Sequence, residues 1–131
     1  MTTTLPEPAR TALDAPNFAT VATLEPDGQP QLSVVWVKRD GDDVVFSTTR
    51  ARRKRQNIAR DPRVSVLLFP TDAPYSYLEV RGRATMTEEG GRELIDELVR
   101  KYTEHESYPW DGPADVRVVV RVKADKVVWH G

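Results

Sequence analysis

The segment Phe46-Ser-Thr-Thr-Arg-Ala-Arg-Arg-Lys-Arg-Gln-Asn-Ile58 joins a predicted strand to a predicted helix. A β-branched run ends in small hydroxyl residues and passes directly into a short, very basic segment. Because the whole chain has 19 cations against 20 acids, a local concentration of cations predicts an anion site rather than a generally basic protein. Six cations and no acid lie between residues 50 and 60: Arg50, Arg52, Arg53, Lys54, Arg55 and Arg60.

Three interpretations of this basic segment follow from the residues alone. The first N–H groups of a helix are unpaired and its dipole favours an anion, so the segment would hold a phosphate or carboxylate with Arg52 and Lys54. Alternatively it is a solvated helix face, because Ile58 is its only large apolar residue. A nucleic-acid patch is the third interpretation. The lack of interleaved aromatic residues and the net charge of −1 argue against it.

Composition excludes several classes of protein. The 131 residues predict a single domain, 1–131, with one core. The chain has no cysteine, which excludes disulfides, thiolate metal sites and cysteine nucleophiles. Its two histidines, His105 and His130, lack ligand-like spacing, so we expect no metal site. The N-terminus has no long apolar stretch, and we therefore expect a cytoplasmic protein without a signal peptide or membrane span.

Strand-like segments follow one another along most of the chain and are separated by turn signals such as Pro26-Asp27-Gly28. Seven strands are predicted, over residues 18–24, 31–37, 44–48, 64–69, 77–84, 116–122 and 126–130. Helices are predicted within the N-terminal residues 1–15, in the basic segment, and over 87–102, where apolar residues repeat at helical spacing. Short strands joined mostly by hairpins predict a mainly β fold, an antiparallel barrel of about six to seven strands with a few helices.

Three stretches carry a family resemblance: VATLEPDGQPQLSVVWV, FSTTRARRKRQNIARDPRVSVLLF and YSYLEVRGRATM. In this order they resemble the split β-barrel flavin and deazaflavin oxidoreductases, which are relatives of pyridoxamine 5′-phosphate oxidase. The resemblance covers about residues 15 to 130, and its most specific element is Arg52-x-Lys54-x-x-Asn57-x-x-x-Asp61-Pro62-Arg63. The short length and the form of this motif look most like the subgroup that uses the deazaflavin coenzyme F420. Relatives that use FMN share the barrel.

The resemblance implies a homodimer with a cofactor groove between the protomers, no nucleic-acid partner, and candidate residues for each end of the cofactor. The anionic tail would be surrounded by Ser47, Thr48, Arg52, Arg53 and Lys54. The ring system would lie beside Gln31, Ser33, Val34, Val35 and Trp36. Tyr77 would contribute to the pocket wall.

Several of these residues also have a simpler interpretation. Trp36 is explained equally well by core packing. Gln31, Ser33 and Ser47 are also compatible with plain strand positions facing solvent. Asn57 is better explained by a hydrogen bond to backbone near the helix end than by cofactor contact. Arg52 and Lys54 are the strongest candidates for cofactor contact.

No catalytic residue is identified from the sequence, which contains no recognisable Ser-His-Asp arrangement or carboxylate dyad. This fits an enzyme whose cofactor carries the chemistry. The resemblance implies reduction of a small conjugated or heteroaromatic molecule by reduced coenzyme F420. An FMN-dependent oxidoreductase and a cofactor carrier without turnover are the alternatives. Dimerisation has a separate argument, because the segments 64–69 and 116–122 are apolar on both faces.

Overall fold

A computed structural model describes residues 3–131, and within them lie three helices and seven strands. The helices are α1 (Glu7–Asp14), α2 (Arg53–Arg60) and α3 (Gly91–Tyr102). The strands are β1 (Ala19–Leu24), β2 (Pro30–Val35), β3 (Val37–Asp40), β4 (Asp43–Thr49), β5 (Arg63–Leu68), β6 (Tyr77–Thr87) and β7 (Arg117–His130). In this part of the chain no helix has the length and apolar composition needed to cross a bilayer.

All seven strands form one antiparallel sheet in the order β2-β1-β5-β6-β7-β4-β3. The two edge strands, β2 and β3, are consecutive in the chain and are separated by Trp36 alone. Because neighbouring Cα atoms are about 3.8 Å apart, this connection brings the two edges of the sheet together. The sheet therefore curls into a half-barrel with a seam at Trp36, and the predicted split β-barrel is confirmed.

The concave face of the curled sheet forms the main core. Strand residues that alternate inward are buried there with α1, which contributes Ala9, Ala12 and Leu13. A second, smaller cluster lies on the opposite face, where Leu94 and Leu98 of α3 pack against Val45 of β4 and the partly buried Val119 of β7. Helix α3 thus covers the outer face of β4 and β7.

The dimer was predicted partly because segments 64–69 and 116–122 are apolar on both faces. For segment 116–122 this reason is wrong. The outward Val119 in segment 116–122 packs under α3 of the same chain, so its apolar character needs no second protomer. The other segment, 64–69, does leave apolar side chains in solvent. Leu67 is 42% exposed and Phe69 is 44% exposed.

Three of the predicted strands were wrong in their boundaries. The predicted strand 31–37 is broken at Trp36, where pairing changes from Val35 with Ala19 to Val37 with Phe46. The predicted strands 116–122 and 126–130 are one continuous strand, β7. Its partner β6 has a register shift between Arg81 and Gly82. Gly82 is required there, because a Cβ atom at this position would collide with the carbonyl oxygen of Lys123.

Two helix predictions also differ from the structure at their starts. Of the predicted N-terminal helix region 1–15, residues 7–14 form α1, and residues 1 and 2 lie outside the described residues. The helix predicted from residue 87 begins at Gly91, because β6 continues to Thr87 and Gly90 then adopts a left-handed conformation with φ of 78°. The basic segment forms α2 as predicted.

Candidate functional site

A cleft of about 200 Å³ opens at the seam of the half-barrel, next to Trp36. The break between β2 and β3, the end of β4, the start of α2 and the buried side of α3 all meet there. The cleft is lined by Phe18, Val34, Val35, Trp36, Ser47, Arg52, Lys54, Ile95, Leu98, Tyr108 and Arg117. Three of these residues are cations, and seven are apolar or aromatic.

Lys54 lies at the charged end of the cleft and is 6% exposed. Its ammonium group donates a hydrogen bond to the hydroxyl of Ser33 at 3.2 Å. Burial lowers the pKa of Lys54, and the nearby positive charges of Arg52 and Arg117 lower it further. Within residues 3–131 no carboxylate is near enough to offset these effects. A buried ammonium without an acidic partner favours an anionic ligand.

Arg52 is exposed at the N-terminus of α2 and also lines the cleft. Its neighbours Arg50 and Arg53 are held by Glu88 and Glu25 in ion pairs of 2.7 Å each. In the described part of the chain Arg52 forms no such pair. Its guanidinium is therefore available to a ligand in the cleft.

Arg117 is the third cation of the cleft, and it is 9% exposed. Asp111 accepts two hydrogen bonds from it, from Nε at 2.8 Å and from Nη2 at 2.6 Å. This pairing holds the pKa of Asp111 below its usual range. The remaining nitrogen, Nη1, lies 3.3 Å from the hydroxyl oxygen of Ser47. The cleft thus contains three positive charges but a single nearby acid, Asp111.

The other end of the cleft is apolar and largely aromatic. Trp36 stacks on Tyr102 with ring centroids 5.5 Å apart and planes 12° from parallel. The rings of Tyr108 and Trp36 form a T-shaped contact, with centroids 6.2 Å apart and planes at 78° to each other. Phe18, packed on Tyr102, extends this wall and is 55% exposed. Flat aromatic and aliphatic surfaces of this kind suit a planar conjugated ring.

The structure brings six of the predicted site residues together in the cleft. These are Val34, Val35, Trp36, Ser47, Arg52 and Lys54. Ser33 adjoins them through its hydrogen bond to Lys54. The two predicted groups, one around the ring and one around the tail, therefore lie on adjoining elements of one cleft.

Four predicted residues lie elsewhere in this chain. The hydroxyl of Thr23 donates to Gln31 at 2.7 Å, which turns Gln31 away from the cleft lining. Arg53 pairs with Glu25, and Tyr77 stacks on His130 with centroids 5.2 Å apart.

Thr48 is the fourth of these residues, and strand alternation explains its placement. Successive side chains of β4 point to opposite faces, so Ser47 faces the cleft while Thr48 is buried and absent from the lining. Among the described residues its hydroxyl oxygen has no hydrogen-bond partner.

Asn57 differs from its expected role. Its side-chain amide donates to the hydroxyl of Thr23 at 3.1 Å, and its carbonyl oxygen accepts from Arg60 at 3.1 Å. The predicted hydrogen bond to backbone is therefore wrong. Asn57 is fully buried and connects α2 to β1 through side chains, which fixes the helix that carries Lys54.

Sequence reasoning missed five residues of the lining: Phe18, Ile95, Leu98, Tyr108 and Arg117. Ile95 and Leu98 belong to the periodic face of α3, whose position over the sheet the sequence does not reveal. Arg117 carried a usable signal, because it is a charged residue next to a run of valines in a predicted strand. Tyr108 lies in a stretch that reads only as a loop.

The arrangement is suited to an elongated ligand with a negative charge at one end and a flat ring at the other. The cations supply charge-assisted hydrogen bonds, and the aromatic wall supplies contact area. These donors and surfaces fit the tail and ring of a flavin or deazaflavin. Across residues 3–131 no group of three or more acidic, histidine or cysteine side chains is arranged to hold a metal ion.

Comparison with known families identifies the class of protein. The model of the pyridoxamine 5′-phosphate oxidase family matches residues 5–129. This match covers nearly the whole chain, and the chain belongs to that family. The resemblance inferred from the sequence is confirmed at this level.

Two curated relatives are pyridoxine/pyridoxamine 5′-phosphate oxidases. The one from Shewanella halifaxensis is 41% identical over 70 residues, which cover 53% of this chain and 32% of the relative. The one from Kineococcus radiotolerans is 42% identical over 69 residues, which cover 53% of this chain and 30% of the relative. The match thus spans about a third of the length of these relatives.

Solved structures of similar proteins match over more of their length. A protein described as an F420 reductase superposes with a TM-score of 0.82 and 31% identity, covering 95% of this chain and 98% of that one. A conserved hypothetical protein of Mycobacterium tuberculosis superposes with a TM-score of 0.78 and 25% identity, covering 98% of this chain and 85% of that one. The fold of this chain therefore matches most of the length of both solved chains.

Proposed function

We propose that this protein is an oxidoreductase dependent on coenzyme F420, and that it reduces a small conjugated or heteroaromatic molecule. The observation that carries the proposal is the buried ammonium of Lys54, which faces a cleft with two other cations and has no acidic partner within residues 3–131. The likeness to an F420 reductase over almost the full length of both chains supports the choice of cofactor.

The charged end of the cleft would bind the phosphate-bearing tail. Arg52 supplies a planar guanidinium suited to bidentate contact with an oxyanion, and Lys54 supplies a point charge. The start of α2 adds unpaired backbone N–H groups beside them. These contacts anchor and orient the bound molecule but take no direct part in its chemistry.

The aromatic end would hold the ring. Trp36 is kept in one orientation by its stacking on Tyr102, and Val34 and Val35 flank it on β2. A reduced deazaflavin bound there would supply a hydride to an electron-poor double bond of the substrate, and solvent would supply the proton that completes the reduction. The residues of the cleft hold ring and substrate together and exclude water from the apolar side.

The cleft of one chain is too small for the whole ligand, and this favours a homodimer. Its volume of about 200 Å³ lies below the roughly 300–1,000 Å³ of typical small-molecule sites. Val34 lines the cleft and is still 67% exposed, and Leu32 beside it on β2 is 64% exposed. Val34, Thr20 and Leu67 are directly opposite one another across β2, β1 and β5, so exposed apolar side chains lie on both sides of Thr20 on the outer face of the sheet.

A second protomer placed on this face would cover the apolar side chains and add the missing wall of the cleft. Tyr77 and Arg53, which do not line the cleft of their own chain, would then be candidates to meet the ligand across the interface. Tyr77 would then contribute to the pocket wall from the partner protomer rather than from its own chain.

An FMN-dependent oxidoreductase is the second candidate. It is favoured by the two curated relatives, which act on pyridoxine and pyridoxamine 5′-phosphate according to their names. A carrier that binds a flavin or deazaflavin without turnover would use the same cleft. These alternatives differ in ligand preference and in hydride transfer, and both are measurable.

The proposal is tested by titrating the purified protein with coenzyme F420 and with FMN while following tryptophan fluorescence, since Trp36 lies in the cleft. We expect affinity in the micromolar range for F420 and none for FMN. Arg52→Ala and Lys54→Met should each weaken binding by about 1–3 kcal/mol. Arg55→Ala is the matched control, because it removes a cation of α2 that is not part of the lining.

Three outcomes would contradict parts of this proposal. Preference for FMN would overturn the cofactor. Unchanged affinity in both the Arg52 and the Lys54 variant would show that the basic helix is a solvated face that binds no ligand. Tight binding without reduction of any of a panel of enones, quinones and nitro compounds would leave a carrier protein.

A further inference from the structure

Tyr108 is unusual within the segment that joins α3 to β7. From Glu104 to Asp115 every residue is exposed except Tyr108 and Asp111. The backbone of Tyr108 is held from both sides by α3. Its N–H donates to the carboxylate of Asp96 at 2.8 Å, and its carbonyl accepts from Arg92 at 2.5 Å. A residue in a segment without regular structure is thus fixed by side chains of a helix.

The two residues that bond the backbone of Tyr108 are also bonded to each other. Arg92 and Asp96 form an ion pair of 3.0 Å one helical turn apart on α3. Each side chain therefore already has a partner and is held in place when it bonds the backbone of Tyr108. The backbone of this one loop residue is therefore held by a rigid element.

The ring of Tyr108 is also held by contacts of its own. The guanidinium carbon of Arg117 lies 4.5 Å from the ring centroid, which is the distance of a cation–π contact. Asp111, only three residues after Tyr108, holds that guanidinium by two hydrogen bonds. One end of this chain of contacts is the charged part of the cleft, and the other is the indole ring of Trp36.

Stability alone is a poor explanation for this arrangement. A buried ion pair such as Asp111 with Arg117 costs desolvation energy, and apolar residues of similar size are commonly as stable or more so. Long segments without regular structure that are nevertheless ordered are usually functional. The contacts converge on a single aromatic ring that lines the cleft.

We propose that Tyr108 determines which ring the cleft accepts, and that Asp111 is a positioning residue that keeps Tyr108 against Trp36 through Arg117. The ligand selected in this way has a planar conjugated ring attached to an anionic tail. This inference rests on the proposed function, because it concerns the ring end of the same cleft. It assigns ring selection to the α3–β7 segment, and tail binding to α2.

The experiment compares a ligand with a ring and a ligand without one. Dissociation constants are measured for coenzyme F420, for FMN and for inorganic pyrophosphate. The readout is the dissociation constant of each coenzyme divided by that of pyrophosphate. Tyr108→Ala should weaken binding of the coenzyme about 10-fold and weaken pyrophosphate binding far less, because Asp111 still holds Arg117. Tyr108→Phe keeps the ring and should retain the wild-type ratio.

Two further variants separate positioning from structure. Asp111→Asn should shift the ratio in the same direction as Tyr108→Ala, and it should bind pyrophosphate more tightly because an acid near Arg117 is lost. If Asp111 acts through Tyr108, adding Asp111→Asn to Tyr108→Ala should worsen coenzyme binding no further. Tyr75→Ala, which removes an 89% exposed phenol from another loop, is the matched control and should behave as wild type.

The results distinguish this inference from the proposed function. If the wild-type protein binds neither coenzyme, the proposed function fails, and the inference falls with it. If the wild-type protein binds a coenzyme and Tyr108→Ala keeps the wild-type ratio, the inference alone is overturned. A shift in ratio that is equal in Tyr108→Phe would assign the effect to the hydroxyl and would overturn selection by the ring.

Discussion

The phenol of Tyr102 accepts a hydrogen bond from the backbone nitrogen of Val37 at 3.1 Å. Val37 is the first residue of β3, immediately after the break at Trp36. The same hydroxyl donates to the backbone carbonyl of Asn17 at 2.6 Å, just before β1. A single side chain at the end of α3 therefore satisfies backbone groups on both sides of the barrel seam, and its ring supports Trp36 in the cleft.

We expect Tyr102→Phe to destabilise the protein while keeping its packing. Removal of the hydroxyl leaves the N–H of Val37 and the carbonyl of Asn17 without a partner in a part-buried site. The expected loss is about 1–3 kcal/mol in the free energy of unfolding. Urea denaturation measures it. Tyr75→Phe removes an exposed hydroxyl and should have no effect. Equal stability of the two variants would contradict a bridging role for Tyr102.

The residue before Tyr102 gives the stability of the protein a pH dependence. The ammonium of Lys101 donates to the carbonyls of Leu13 and Val37 at 2.6 Å each. Burial lowers the pKa of Lys101 from 10.5 to about 8. Asp14 and Glu97 oppose this shift, and Lys38 adds to it. A neutral amine still has two N–H donors, so both hydrogen bonds survive deprotonation.

The sign of this dependence follows from proton linkage. Between about pH 8 and 10.5 the unfolded chain binds more protons at Lys101 than the folded chain does, so the free energy of unfolding rises with pH across this window. Below pH 8 the cost of the buried charge is fully present. Denaturation of wild type and of Lys101→Met should therefore differ in slope, with the variant flatter. Parallel pH profiles would contradict the assignment.

Some features of the fold could be predicted from the sequence because they depend on the conformational preferences of neighbouring residues. Pro26-Asp27-Gly28 predicts the β1–β2 hairpin, and Gly28 indeed has a positive φ of 89°. The break at Trp36 was not readable, since Val35-Trp36-Val37 has high strand propensity throughout. The groups that stabilise the break, Lys101 and Tyr102, lie more than sixty residues away in sequence. Local patterns carry no information about such contacts.

In the candidate site too, residues given by a local motif could be predicted, and residues brought in by tertiary structure could not. Lys54 and Arg52 were readable because the motif and the charge cluster are local, and the cleft does contain both. Thr48 and Ser47 were predicted to act together, although strand alternation alone indicates that they face opposite sides. Arg117 and Tyr108 join the cleft only through tertiary structure, when β7 pairs with β4 and the segment before it packs on α3.

Anion binding at the cleft should depend on pH through Lys54. Because the pKa of Lys54 is lowered by burial and by two neighbouring cations, its charge is lost at a lower pH than that of an ordinary lysine. Affinity for pyrophosphate should fall as the pH rises through that pKa, and binding should be accompanied by proton uptake. Lys54→Arg stays protonated, so its profile should show only the pH dependence that comes from the ionisation of pyrophosphate itself. Isothermal titration calorimetry in buffers of different ionisation enthalpy measures the proton uptake directly. The same uptake in Lys54→Arg would exclude Lys54 as its source.

Leu67→Lys tests whether the exposed face beside the cleft is an interface between two copies of this chain. Leu67 is 42% exposed and lies directly across Thr20 from Val34, which reaches into the cleft. A lysine in an apolar interface has to be desolvated without a partner, so we expect a monomer by light scattering and a weaker affinity for the coenzyme. The fold should survive, because the side chain points away from the core. Thr11→Lys adds the same charge on the exposed side of α1 and should stay dimeric. A wild-type protein that is already monomeric, yet binds the coenzyme, would show that one chain forms the complete site.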